Sequence, residues 1–247
     1  MDFGTGVFEL IQKGGFFVYP IILCSIVGLA IFLQKMWILR SRNVIPEPFL
    51  EQIYRFLSQG KLAEAEVYAR ANNSSIARIA LAALENSAKP KEELSEEIEE
   101  AGRKESLELL RYVEGLGTIS NVSTLLGLLG TISGMIKIFK VIADKPIVNP
   151  PELAGGISEA LYTTAFGLLV AIPAFIAYKY LIGRADELIS LMEEEGRKIM
   201  EYVILKRDEE ERRERVGRKE EVGKRRGEKT DGRERRERRR KRAIMAL

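Results

Sequence analysis

The sequence predicts an all-α integral membrane protein with three transmembrane helices. Three windows carry no charged residue, at 14–34, 115–136 and 160–178. Each is about as long as a helix that crosses the hydrocarbon core of a bilayer, since about 20 residues rising about 1.5 Å each give about 30 Å. Charge lies between and after these windows, and no strand pattern of comparable strength is present.

The first window is interpreted as an uncleaved span. A signal peptide has a shorter apolar region, of about 7–15 residues, preceded by basic charge. Here Asp2, Glu9 and Lys13 precede a longer run, and Tyr19 and Trp37 lie near its two ends. Aromatic side chains collect at such membrane interfaces, which favours a resident span.

The second window is rich in small and hydroxyl-bearing residues. Residues spaced three or four apart share a helix face, and one face carries Ser120, Thr124, Gly127, Thr131 and Gly134. This face suits close helix packing, with Gly130 and Gly134 as a small-xxx-small pair, and it equally suits the lining of a polar pathway. The two interpretations are compatible.

The third window contains Pro173, which a membrane span tolerates better than a soluble helix does. Glu159, Thr163 and Gly167 share one face, and Glu159 is a carboxylate directly next to the core of the third span. It is either a functional acid or an ordinary charge at the membrane boundary. No carboxylate lies centrally in a span, so either the chain is no proton path or a partner supplies the acid.

Lys and Arg near the span ends predict the N-terminus outside and the C-terminus inside the cell, although Lys137, Lys140 and Lys145 on the loop between spans two and three argue the other way. A helix is expected to run unbroken from about 90 to 142. The predicted segments are an outer N-terminus at 1–13, spans at 14–39, 115–142 and 155–180, a cytoplasmic helical insert at 40–114, an outer loop at 143–154, a cytoplasmic helical extension at 181–205 and a charged tail at 206–247.

The tail holds 19 Lys and Arg and 11 Asp and Glu, with too few apolar residues to bury a core. We expect it to be solvated and partly disordered. Contact with anionic lipid headgroups is the alternative. Nucleic-acid binding is not expected, because Glu is interleaved and no aromatic side chain is available for stacking.

Enzymatic chemistry and cofactors are not expected. The chain has no His and a single cysteine, Cys24, inside an apolar run. Catalytic triads and His-based metal sites are therefore excluded. The remaining rival from another class is a structural membrane scaffold that conducts no ions.

Three motifs in register resemble the spans of the MotA/TolQ/ExbB proton channel family. They are GGFFVYPIILCS at 14–25, LLGLLGTISGMI at 125–136, and GGISEALYTTAFGL at 155–168 followed by AIPA at 171–174. The resemblance covers about 10–205. Two departures are Ser123-Thr124, where the family usually has Ala-Pro, and the tail beyond about 206. Four-span MotA subunits are a poorer fit than ExbB or TolQ.

This resemblance implies an inner-membrane homopentamer whose second and third helices line a central pore. It also implies a single-span partner of the ExbD/TolR type that supplies a membrane aspartate, and a TonB/TolA-like periplasm-spanning protein beyond it. By position, Thr131, Glu159 and Thr164 match the family's pore-lining polar residues, although Thr163 shares the face of Glu159 on an ideal helical wheel. ExbB-like, TolQ-like and gliding roles, and proton or sodium as the ion, stay open.

Overall fold

The computed structural model describes residues 15–145 and 149–245, with side chains as far as 209 and for Arg212. All regular elements in these ranges are helices, which confirms the all-α class. They are α1 (Val18–Ile38), α2 (Ser41–Val44), α3 (Glu47–Ser58), α4 (Leu62–Arg70), α5 (Ser75–Glu85), α6 (Lys91–Leu110), α7 (Val113–Asp144) and α8 (Pro150–Met245). The predicted N-terminal segment 1–13 and residues 146–148 of the predicted loop lie outside the described residues.

Three helical stretches are long and apolar enough to cross a membrane, which confirms the predicted number of spans. They are α1, the stretch Lys91–Asp144 that contains α7, and the stretch Pro150–Glu209 of α8. Large apolar side chains on these helices point outward, for example Leu125 at 62 % and Leu169 at 67 % exposure. Water would penalise so much exposed apolar surface, whereas lipid does not.

The prediction of an unbroken helix from about 90 to 142 is wrong, because the structure divides it into α6 and α7. Tyr112 lies at the break with φ 65°, a left-handed conformation that residues other than glycine rarely adopt. The last carbonyl groups of α6 have no N–H donor in their own helix, and Lys35 of α1 supplies the hydrogen bonds for two of them. Its Nζ donates to the backbone oxygens of Glu108 at 3.1 Å and Leu109 at 3.0 Å.

The chain divides into two compact units. The first comprises Met1–Glu47, Ser74–Ile76 and Glu100–Glu194, and contains α1, α7 and the apolar part of α8. The second comprises Pro48–Asn73, Ala77–Glu99 and Glu195–Leu247.

Within the second unit, short amphipathic helices bury apolar side chains. Phe49 stacks on Tyr68 with ring centroids 5.5 Å apart, and Ile53 and Leu57 continue the buried face of α3 at helical spacing. Gly60, with φ 73°, follows the end of α3, where a left-handed glycine commonly terminates a helix. The sequence predicts helices at about 49–58, 61–72 and 75–87, close to the observed α3, α4 and α5.

The backbone of α8 is helical as far as Met245, and the partial disorder of the tail stays a prediction. Residues 206–245 alternate basic and acidic side chains. Oppositely charged pairs three or four residues apart stabilise a helix by about 0.2–0.5 kcal/mol each.

Candidate ion-path site

The contact between α7 and α8, here called the seam, is built from glycine. A β-carbon added to Gly167 would lie 2.7 Å from the backbone oxygen of Ser123 and 2.8 Å from Cα of Gly127. The two helix backbones are therefore in direct contact at this point. Small residues permit such approach between membrane helices, where dispersion forces rather than the hydrophobic effect drive association.

The same packing continues along the seam. Gly130 faces the side chain of Thr163, and a β-carbon on Gly134 would lie 2.6 Å from Cβ of Ala160. All four of the glycines that the sequence nominates for packing, Gly127, Gly130, Gly134 and Gly167, thus lie on the seam and are buried.

Hydroxyl groups of the seam donate hydrogen bonds to backbone carbonyls. Ser120 Oγ donates to the oxygen of Ala171 at 2.8 Å, and Thr164 Oγ1 donates to that of Gly127 at 3.0 Å. Both bonds join α7 to α8. Thr163 is buried and donates to the carbonyl of Glu159 within its own helix, at 2.8 Å. Thr163 and Thr164 therefore both contribute to the seam within one protomer.

Ser123, one of the two residues that depart from the family pattern, is fully buried on the seam. Among the described residues its Oγ has no hydrogen-bond partner. An unpaired buried hydroxyl is uncommon and costs stability. The sequence comparison with the family marked this position but did not predict that its hydroxyl would be enclosed.

A second polar face of α7 lies outside the seam. Thr124 is exposed and Thr131 is half-buried, and each donates to a backbone oxygen of α7 itself, Ser120 at 3.1 Å and Leu128 at 2.6 Å. Asn121, one turn before Thr124, is exposed on the same face. We call Asn121, Thr124 and Thr131 the polar stripe. The sequence analysis missed Asn121, although its amide stands out in an uncharged window.

Glu159 lies at one end of the seam and is paired. Its carboxylate accepts from Lys137 Nζ, at 2.5 Å, across α7 and α8. Gly15, just before α1, also meets it: a side chain there would collide with the carboxylate, and φ of 69° further favours glycine. Three elements of the chain therefore converge on Glu159. Because Lys137 directly follows the second charge-free window, this geometry favours the boundary interpretation of Glu159.

Pro173 is exposed within α8 and does not belong to the seam. It lines an apolar groove of about 600 Å³ bordered by α1, α7 and α8. The structure thus separates the predicted residues into three places: the seam, the polar stripe and the wall of this groove.

Comparison with known proteins identifies the class. The profile of the MotA/TolQ/ExbB proton channel family matches residues 71–194. This match covers the second and third spans, most of the rest of the first unit after α2, and a smaller part of the second unit. The chain belongs to the MotA/TolQ/ExbB proton channel family, as the three motifs predict.

Among its relatives is a putative biopolymer transport protein ExbB homolog from Methanothermobacter thermautotrophicus. It is 30 % identical over 192 residues, which cover 77 % of this chain and 68 % of the relative. A putative ExbB-like protein from Synechocystis is 28 % identical over 69 % of this chain and 68 % of its own length. The Tol-Pal system protein TolQ of Pseudomonas aeruginosa is 40 % identical over a shorter stretch, 30 % of this chain and 32 % of its own.

Proposed function

We propose that this chain is the channel-forming subunit of a proton-motive-force-driven motor of the ExbB/TolQ type in the inner membrane. Five copies surround a central pore lined by α7 and α8. The N-terminus lies in the periplasm, and the cytoplasmic insert and helical extension lie inside the cell. An ExbD/TolR-like single-span partner supplies a membrane aspartate, and a TonB/TolA-like protein receives the work.

The observation that carries this proposal is the polar stripe. Asn121, Thr124 and Thr131 face away from the seam, on a helix whose other outward side chains are mostly apolar. Thr124 and Thr131 bond to their own helix, whereas the exposed amide of Asn121 has no hydrogen-bond partner among the described residues and would find none in hydrocarbon. A pore lumen or a partner helix is the environment that suits this stripe.

The proposed mechanism relies on an acid from the partner, since the Glu159 carboxylate is engaged by Lys137. Protonation of the partner's aspartate removes a charge that is costly to hold in a low dielectric. The neutral helix then turns against the polar stripe, where Thr131 offers a hydroxyl and Asn121 an amide. Thr164 and Thr163 hold the seam that forms the pore wall, and Glu159 with Lys137 shapes the field at its end.

The first test is native mass spectrometry of the full chain in detergent, alone and co-expressed with a single-span partner. A pentamer that takes up partner helices supports the proposal. A monomer, a dimer or a mixed ladder that ignores the partner refutes the pentameric pore and favours the non-conducting scaffold.

The second test is proton flux into proteoliposomes that contain the co-purified complex. We expect Thr131→Val and Asn121→Leu to lower the flux at least tenfold, with assembly unchanged. Ser133→Ala is the control, because Ser133 is a half-buried hydroxyl residue of α7 that lies two positions after Thr131 and therefore on another face of the helix. Equal flux in all three variants would remove the stripe from the ion path.

A further inference from the structure

Two cavities of the first unit meet at Tyr180. The apolar groove of about 600 Å³ is lined by side chains of the three spans, including Phe32, Leu116 and Pro173. A second cavity of about 670 Å³ is formed mainly by the end of α1, the start of α2 and the following part of α8. Tyr180 lines both of them.

The second cavity is basic. Its lining includes Arg40, Arg42 and Arg184 against one carboxylate, Glu187. Arg184 is bound to Glu187 and to the Ser41 hydroxyl, both at 2.5 Å. Arg40 and Arg42 are exposed, and neither forms an ion pair with any residue that the structure describes. Two guanidinium groups are thus available for an anion.

The apolar groove is about as long as the hydrocarbon part of one membrane leaflet is thick. Along α8 its lining runs from Leu169 to Tyr180, which corresponds to about 17 Å of helix. Half of the hydrocarbon core measures about 15 Å. Trp37 and Tyr180, 66 % and 59 % exposed, stand at the basic end, where aromatic side chains mark the headgroup level.

We propose that these cavities form one binding site for an anionic phospholipid. The phosphate of the headgroup binds Arg40 and Arg42, and an acyl chain lies along the groove past Tyr180 to Leu169. Guanidinium groups suit this role because they bind phosphate through two parallel hydrogen bonds. The site lies in the leaflet at the Arg40 end. It differs from both the seam and the polar stripe, and it needs neither a partner nor a gradient.

The test is native mass spectrometry of the full chain titrated with phosphatidylglycerol or phosphatidylcholine of the same acyl composition. We expect phosphatidylglycerol to be retained at least tenfold more tightly. The double variant Arg40→Gln/Arg42→Gln is expected to abolish that preference. Arg103→Gln, which removes an exposed arginine of α6, is the matched control and should leave the preference unchanged.

A groove variant separates the lipid from other occupants. Ala177 lines the apolar groove, and Ala177→Phe narrows it. We expect this variant to weaken retention of phosphatidylglycerol. Glycerol phosphate, which has no acyl chain, should compete poorly with phosphatidylglycerol for the wild type and for every variant. Equal retention of the two lipids by the wild type would overturn the site. So would an Ala177→Phe variant that disrupts self-association but keeps the lipid, because a second copy of the chain would then fill the groove.

Discussion

Helix α7 contacts its two membrane neighbours in opposite ways. Against α8 it is packed backbone to backbone, with hydroxyl groups bonded across the seam. Against α1 the contact is made by side chains: a β-carbon on Gly28 would meet Leu116 and Ile119 at an ordinary 3.4 Å. The α1 side also leaves an open groove. A small residue at every turn of α7 therefore lets it pack against α8 without a gap. The single glycine of α1, Gly28, lets α1 contact α7 only through side chains and leaves a groove next to the contact.

The largest effect is expected where α1 holds the end of α6. Lys35→Met leaves the carbonyls of Glu108 and Leu109 without their donor. Each unpaired buried carbonyl costs about 1–3 kcal/mol, and we expect a loss of about 2–4 kcal/mol, since one of the two bonds is only partly buried. The loss of stability is measured by thermal unfolding in detergent, monitored by circular dichroism. Lys104→Met, at an exposed lysine of α6, should unfold like the wild type.

The second prediction compares the two contacts of α7 directly. Gly167→Ala places a β-carbon against backbone that has no room to move, and we expect it to destabilise the protein by about 1–3 kcal/mol. Gly28→Ala meets only side chains at ordinary distance and should be neutral or stabilising, since alanine favours the helix. Equal effects on the unfolding midpoint in mixed micelles would erase the distinction between the seam and the α1 contact.

A smaller effect is expected from the hydroxyl groups of the seam. Thr164→Val removes the bond to the Gly127 carbonyl but keeps the shape of the side chain. Hydrogen bonds between membrane helices average about 0.6 kcal/mol and reach about 1.7 kcal/mol. The same denaturation assay should therefore give a loss within that range, and Thr164→Ser should recover most of it. A loss above about 1.7 kcal/mol that also exceeds the loss for Gly167→Ala would mean that bonding rather than close approach holds the seam.

The smallest effect is expected in the second unit. A hydrogen bond to the Glu97 carboxylate raises the pKa of Lys89 above its ordinary value of 10.5. Stability from this pair is fully present below pH 10.5 and is lost as the pH rises through the raised pKa. The difference in Tm between wild type and Lys89→Met should accordingly shrink above pH 10.5. A constant difference would assign the effect to packing.

Sequence patterns predicted the features that depend on composition over a long window. The three uncharged windows predicted the spans. Helical spacing predicted one face with Ser120, Thr124, Gly127, Thr131 and Gly134, of which the structure places Ser120 and the two glycines on the seam and the two threonines beside it. These features rest on helical periodicity, which the sequence displays directly. The motifs likewise identified the family.

Features that depend on one side chain in three dimensions escaped prediction. Lys35 directly follows the first charge-free window, and no sequence pattern predicts that it is 3 % exposed and bonded to another helix. Tyr112 gave no warning of a break, because a left-handed conformation is normally signalled by glycine or asparagine. Helical spacing does not single out Asn121 among the polar residues of its window, and only the burial of its neighbours distinguishes its face from the seam.

The left-handed turn at Tyr112 makes the link between α6 and α7 a hinge between two helices, not one continuous helix. An unbroken helix transmits torsion along its axis through its ladder of hydrogen bonds, whereas this ladder is interrupted at Arg111 and Tyr112. A rotation of α7 therefore reaches α6 through two non-helical residues and through Lys35, which fastens the end of α6 to α1. The position of the end of α6 relative to α1 therefore depends on the two hydrogen bonds that Lys35 donates.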